Sequence, residues 1–212
     1  GSFKIRGAGS AITAAPRDRL SHGVYTASAG NMAQGVAWCA RALAVPCTVI
    51  VPDHAPAAKI SAVERLGATI IRVPIARWFQ VLVERSYPGL DGLFVHPVSD
   101  PDVIAGNATI ASEILEDAPD TDTVLVPFGG GGLACGIALG LRARGSSARV
   151  FACEVETAAP FAASLRAGRP CTVERTPSFV DGIGIGSLLT EMWPLASTVA
   201  ICSRAGAWRW RS

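Results

Sequence analysis

The chain has 212 residues, 50% of them hydrophobic, a mean hydropathy of +0.35 and a net charge of +2. That is enough apolar material to bury a core, in one large domain or two small ones, and it excludes a disordered chain. The charge is spread without a basic run, so neither nucleic acid nor a membrane surface is indicated as a partner, and small neutral or zwitterionic molecules are.

The chain opens on "GSFKIRGA", a lysine between an aromatic ring and an arginine with glycines on both sides. Lys4 reads either as a surface lysine at a frayed terminus or as a nucleophile whose chain begins further upstream. Short β-branched runs then alternate with longer helical patterns, which predicts βαβ units around a parallel sheet covered on both faces. The strands are "VYTAS" from Val24, "CTVIV" from Cys47, "TIIRV" from Thr69, "LFVH" from Leu93, "TVLVP" from Thr123 and "ARVFACE" from Ala148.

Between the strands, residues 31–45 place Val36, Ala37, Ala40 and Leu43 on one helical face and stop at Pro46. A second helix covers 57–66 and ends at Gly67, a left-handed cap. A third runs over 76–87, before Pro88-Gly89, and a fourth over 101–116 with Asp100 as its N-cap. Residues 123–141, "TVLVPFGGGGLACGIALGL", carry no charge, but Pro127 and four consecutive glycines interrupt any membrane-spanning helix. A buried strand, a glycine turn and a helix from Leu133 explain these letters better. The tail "ICSRAGAWRWRS" fits neither a helix nor a strand.

The cysteines (Cys39, Cys47, Cys135, Cys153, Cys171, Cys202) are scattered, with no C-x-x-C and no cluster near His22, His54 or His96. They read as reduced thiols of a cytoplasmic protein, not as a zinc site or a disulfide framework. No signal peptide stands at the start of the chain.

In an open parallel sheet, ligands sit beyond the carboxyl ends of the strands, so the loops after "VYTAS" and "TVLVP" are the candidate sites. The first, "SAGNMAQG", is a small-residue turn opening a helix, with Asn31 as a side-chain donor. The second, "FGGGGL", lets backbone amides converge at a helix N-terminus, a site for a phosphate dianion. The alternative for such a glycine run is a flexible turn. It is neither the dinucleotide fingerprint nor a Walker loop, so a smaller phosphate is implied. An amine, a ring-hydroxyl donor and a phosphate cup together match the needs of pyridoxal 5'-phosphate.

Through "SFKIRGA", "SAGNMAQGVAWCAR", "VIVPDHAPAAKISAVERLGA", "HPVSDPDVIAGNATIASEIL", "VPFGGGGLACGIA" and "VDGIG", the chain resembles the fold-type II pyridoxal-phosphate enzymes. Within them it resembles the threonine/serine dehydratase and serine racemase group. The resemblance implies a tryptophan synthase β-like α/β fold, with parallel-sheet three-layer domains. A small domain would span 26–104, and a larger cofactor domain 1–25 and 105–212. It implies Lys4 as the Schiff-base lysine and Phe3 against the cofactor ring. Asn31 would bond the ring hydroxyl, Gly129, Gly130, Gly131, Gly132 and Leu133 would hold the phosphate, and Ser28, Ala29, Gly30 and Asn31 would receive the substrate carboxylate.

Where racemases of the group read S-S-G-N-H, this chain has Ala29 and Met32. The missing serine is the proton donor and acceptor opposite the lysine, so elimination is favoured over racemisation. The expected reaction converts L-threonine, L-serine or a related 3-hydroxy amino acid to a 2-oxo acid and ammonia. The alternatives are serine racemase or threonine synthase-like activity, or an inactive fragment that binds the cofactor or nothing. Glu154 matches the first acid of the family's metal pair, but Pro160 stands where the second is expected, so no metal is assigned, and Glu154 reads equally as a solvated residue at a strand end. His96 and Asp181-Gly182 read as structural or supporting residues. The resemblance also implies family segments before the lysine motif and from the point where this chain breaks into "SRAGAWRWRS", a homo-oligomer for the complete protein, and weak cofactor binding and poor solubility for these 212 residues alone.

Overall fold

The computed structural model describes residues 2–180, 182–198 and 201–202; Asp181 and the tail beyond Cys202 lie outside the described residues. By its internal contacts the chain divides between Asn107 and Ala108 into two compact units.

The first unit opens on helix α1 (Lys4–Ala14), followed by a short α2 (Arg17–Ser21). Strand β1 (Val24–Ala27) leads through the "SAG" turn into α3 (Asn31–Ala42), and β2 (Cys47–Pro52) leads into α4 (Ala57–Glu64). Then come β3 (Thr69–Val73), α5 (Ile75–Glu84), the two-residue β4 (Leu93–Phe94) and the start of α6 (Pro101–Asp117). The four strands form one parallel sheet in the order β3-β2-β1-β4, with Val24 opposite both Cys47 and Leu93.

Period-two alternation sends each strand's side chains to two covered faces. Val24, Cys47, Val49 and Val51 meet Ala8, Ala11 and Ile12 of α1, Val36 and Ala40 of α3 and Ile60 and Val63 of α4. On the opposite face Tyr25, Ala27, Ile50 and Val73 meet Trp78, Val81 and Leu82 of α5. This is the expected three-layer arrangement, and burial of each such Val or Ile stabilises it by about 1.5–3 kcal/mol.

Caps set the helix ends. Asp100 Oδ1 accepts from the amides of Asp102 (2.9 Å) and Val103 (3.3 Å), the predicted N-cap of α6. Gly67 is left-handed at φ +87°, as expected after α4. Helix α3 stops three residues short of the expected 45, because Ala44 turns left-handed (φ 54°) and the Val45 amide bonds back to the Ala40 carbonyl. Helix α5 likewise ends early, at Arg85 (φ 53°) and not at Tyr87.

The second unit holds β5 (Thr123–Pro127), α7 (Gly132–Ala143), β6 (Arg149–Cys153), α8 (Pro160–Ala167), a 3-10 turn (Thr190–Met192), α9 (Trp193–Thr198) and β7 (Ile201–Cys202). The strands pair in parallel in the order β5-β6-β7. The uncharged 123–141 stretch is thus strand, glycine turn and helix, and no helix among the described residues is long and apolar enough to cross a membrane. Ile201 and Cys202, expected to lie outside regular structure, form β7 instead.

Helix α1 packs on α3, and its glycines are not equivalent. A Cβ on Gly7 would come within 2.7 Å of Val103 Cγ1 and 2.9 Å of the Val103 carbonyl, whereas on Gly9 the nearest atom would be Cys39 Sγ at 3.6 Å. Gly7→Ala is therefore expected to destabilise the chain by about 1–3 kcal/mol through overpacking. Gly9→Ala is expected to be neutral, or to stabilise α1 by up to about 1 kcal/mol. Urea unfolding midpoints of the two variants check this, and equal midpoints would refute the packing argument.

Candidate active site

In the first sheet the chain steps from β1 outward to β2 and β3, then returns to the other side of β1 as β4. The loops leaving β1 and β4 therefore diverge, and a crevice at such a switch point is where an α/β sheet binds ligands. The loop after β1 is "SAG", running into the N-terminus of α3; the loop after β4 runs from Val95 to Ser99.

Lys4 reaches this place from the first turn of α1. Its Nζ donates to the Pro97 carbonyl at 3.0 Å and stands 5.2 Å from the centroid of the Phe3 ring. Burial pushes the ammonium below the ordinary lysine range. Among the described residues no carboxylate pairs with it. Lys4 is thus not a frayed surface residue but a half-buried amine with a fixed acceptor.

The neighbouring loop is held by backbone bonds. The Ser28 amide donates to the Ile50 carbonyl at 3.1 Å, and the Gly30 amide to Ser28 Oγ at 3.3 Å. Ala29 packs partly buried against the core. Asn31 is exposed at the first position of α3, and no side chain caps that helix, whose dipole favours a carboxylate here. Gly35, one turn further on, closes the "SAGNMAQG" motif, and its residue type alone points to no role. A Cβ there would meet the Lys4 carbonyl carbon and oxygen and the Ile5 nitrogen, each at 3.3 Å, so glycine lets the lysine's backbone lie close against α3.

The glycine run belongs to the second unit. Gly131 is left-handed (φ +94°) and is the N-cap residue of α7. A Cβ on Gly131 would lie 3.1 Å from the Phe128 ring, and one on Gly129 would lie 3.3 Å from Ile183 Cα. Phe128 is buried and stacks on Phe161 at 4.1 Å and 14°, which fixes the floor under the run. Gly130 and Leu133 are half-buried and Gly132 begins the helix. A glycine-lined helix start is the electrostatic environment of an anion.

One supporting residue differs from the sequence reading. Glu154 is half-buried and bonded rather than merely solvated: its Oε1 and Oε2 accept the Phe161 and Ala162 amides, both at 2.8 Å, so it caps α8, a helix the sequence did not predict. Burial pushes its carboxyl up, against those two amide bonds. Among the described residues no group of three potential metal-ligating side chains converges. His96, read as structural, is fully buried within the β4 loop.

Residues 1–204 match the family model described as "Pyridoxal-phosphate dependent enzyme". The L-threonine ammonia-lyase of Thermotoga maritima is 41% identical over 198 residues, which is 91% of this chain and 49% of that protein. A serine racemase of Oryza sativa subsp. indica is 37% identical over 204 residues, 92% of this chain and 58% of that one. The structure of maize serine racemase superposes with a TM-score of 0.84 at 32% identity, covering 96% of this chain and 63% of that chain. The chain spans about half the length of the curated relatives it matches. With a parallel α/β architecture, a half-buried lysine at the switch point of one sheet and a glycine-lined helix start after a strand of the other, the chain belongs to the pyridoxal-phosphate dependent enzyme family, of fold type II.

Proposed function

We propose that this chain carries the catalytic residues of a pyridoxal-phosphate-dependent ammonia-lyase that converts L-threonine, L-serine or a related 3-hydroxy amino acid to a 2-oxo acid and ammonia. The observation that carries the reading is Lys4 Nζ, half-buried and held at the switch-point loops with its ammonium below the ordinary range. The residues fit the cofactor: Lys4 offers an amine for its aldehyde, and the glycine run at the start of α7 offers a helix N-terminus for its phosphate. When bound, pyridoxal phosphate supplies that aldehyde and an electron sink for charge developing at the substrate α-carbon.

The chain's own residues do the rest. Gly129, Gly130, Gly131, Gly132 and Leu133 would take the phosphate, Asn31 the ring hydroxyl, and Phe3 would lie against the ring. Ser28, Ala29, Gly30 and Asn31, with the N-terminus of α3 behind them, would take the substrate carboxylate. Once its nitrogen is free, Lys4 removes the substrate α-proton as a general base, a role helped by a lowered basicity. Loss of the β-hydroxyl as water leaves an enamine, and its hydrolysis gives the 2-oxo acid and ammonia.

Ala29 directs the choice between elimination and racemisation. Its methyl packs toward the core and carries no exchangeable proton, so nothing at that position can reprotonate the α-carbon on the face opposite Lys4. On the same reading, residues 26–104, which hold most of the four-stranded sheet, form the small domain, and 1–25 with 105–212 the larger one. The protein acts on a small amino acid as a cytoplasmic homo-oligomer, with neither nucleic acid nor membrane as partner.

Ammonia release from L-threonine, L-serine and 3-hydroxyaspartate tests the reaction, and no release from any of the three would overturn it. Lys4→Ala is expected to abolish both turnover and the borohydride-reducible adduct with pyridoxal 5'-phosphate, since Lys59 is the chain's other lysine and is exposed on α4. A reducible adduct surviving in Lys4→Ala would remove Lys4 from this role. Ala29→Ser is expected to raise α-proton exchange with inversion by at least about tenfold relative to elimination, from the general range of a placed acid-base group. An unmodified protein that inverts L-serine as fast as it deaminates it would contradict the assignment.

A further inference from the structure

The turn that presents the Pro97 carbonyl to Lys4 is wound around one imidazole nitrogen. His96, 1% exposed, receives at Nδ1 the amides of Val98 (3.1 Å) and Ser99 (2.9 Å), with Ser99 Oγ also at 2.9 Å. A nitrogen that accepts from backbone amides must keep its lone pair, so the ring is neutral with its proton on Nε2. Arg85 Nη2 donates to Ser99 Oγ at 2.8 Å, which leaves the hydroxyl proton to point at Nδ1. Arg85 reaches that position from the left-handed residue ending α5. The start of the loop is pinned from β1, where the buried Thr26 hydroxyl donates to the Val95 carbonyl at 2.8 Å.

We propose that His96 is a positioning residue for Lys4: its Nδ1 gathers the turn of residues 96–99 so that the Pro97 carbonyl stands as the acceptor on which the Lys4 ammonium is parked. The proposal deepens the assignment of Lys4 as the reacting amine and rests on it for its relevance to turnover. The geometry leaves Lys4 no other hydrogen-bond acceptor for Nζ among the described residues. Removing the turn's anchor would take away the bond that favours the charged amine and leave burial unopposed. Lys4 would then lose its proton at lower pH and move more freely.

The test needs no cofactor. The full chain is methylated with formaldehyde and cyanoborohydride at neutral pH, and the modification of Lys4 is read by peptide mass spectrometry against Lys59 as the internal standard. His96→Leu, which removes the acceptor and keeps the bulk, is expected to raise the Lys4-to-Lys59 ratio about fivefold and to lower the pH midpoint of Lys4 labelling, as loss of a charge-assisted bond should. His96→Asn, whose Oδ1 can replace Nδ1 as acceptor, is expected to bring the ratio back to within about twofold of the parent. An unchanged ratio in His96→Leu overturns the proposal, and so does an equal rise in both variants, which would assign His96 to packing alone. Should His96→Leu not fold, Ser99→Ala is expected to raise the ratio about twofold by removing one of the three donors, and no change there overturns the proposal. A parent chain that labels as expected but forms no adduct with pyridoxal 5'-phosphate would sink the reading of Lys4 as the reacting amine and leave the positioning result standing.

Discussion

An ammonium drawn out of water must keep an acceptor, and for Lys4 that acceptor is the backbone carbonyl of Pro97. The bond exists because three elements agree: α1 delivers the lysine, β1 and β4 lie side by side, and the loop after β4 is folded around His96 so that it presents the Pro97 carbonyl. The parallel strand order is what makes that edge available. Had β4 joined the far side of β3, the loop would have no reason to lie beside the "SAG" turn.

Small residues in this sheet and its helices are arranged for approach rather than for flexibility. Gly35 admits the backbone of Lys4 against α3, and Gly7 admits Val103 against α1. In the second unit Gly131 supplies a left-handed residue that starts α7 above the stacked Phe128 and Phe161 rings. The same absence of Cβ atoms that permits these contacts is what lets backbone amides converge on an anion, so packing and anion binding draw on one property of glycine.

The strands were legible because β-branched runs such as "CTVIV" and "TIIRV" have few other ways to be satisfied, and the strand-glycine-helix reading of residues 123–141 followed from Pro127 and the four glycines after it. Helix α1 was not legible. Its sequence "KIRGAGSAITA" contains two glycines and a serine, all weak helix formers, and it is stabilised by packing on α3 rather than by propensity. Helix α8 was hidden for a related reason: its cap is Glu154, six residues before the helix begins, outside the local window in which capping signals are read. The left-handed ends at Ala44 and Arg85 fall on non-glycine residues, where sequence carries no sign of them. For the site, residue types and order pointed to Lys4, Asn31 and the glycine run, but Pro97 offers only a carbonyl, a group every residue has, and so left no mark in the sequence.

A carbonyl, not a carboxylate, beside Lys4 also bears on its chemistry. Two unit charges about 3 Å apart interact by about 5 kcal/mol at an effective dielectric near 20, equivalent to about 4 pKa units in favour of the ammonium. A carboxylate at that distance would hold the amine charged through the neutral range and oppose both attack on an aldehyde and removal of a proton. A carbonyl dipole orients the same ammonium with a far smaller preference for charge, so burial remains the larger effect and lowers its basicity. The turn built on His96 sets where Nζ sits and gives the ammonium modest support, while burial of the amine is the larger effect on how readily it gives up its proton.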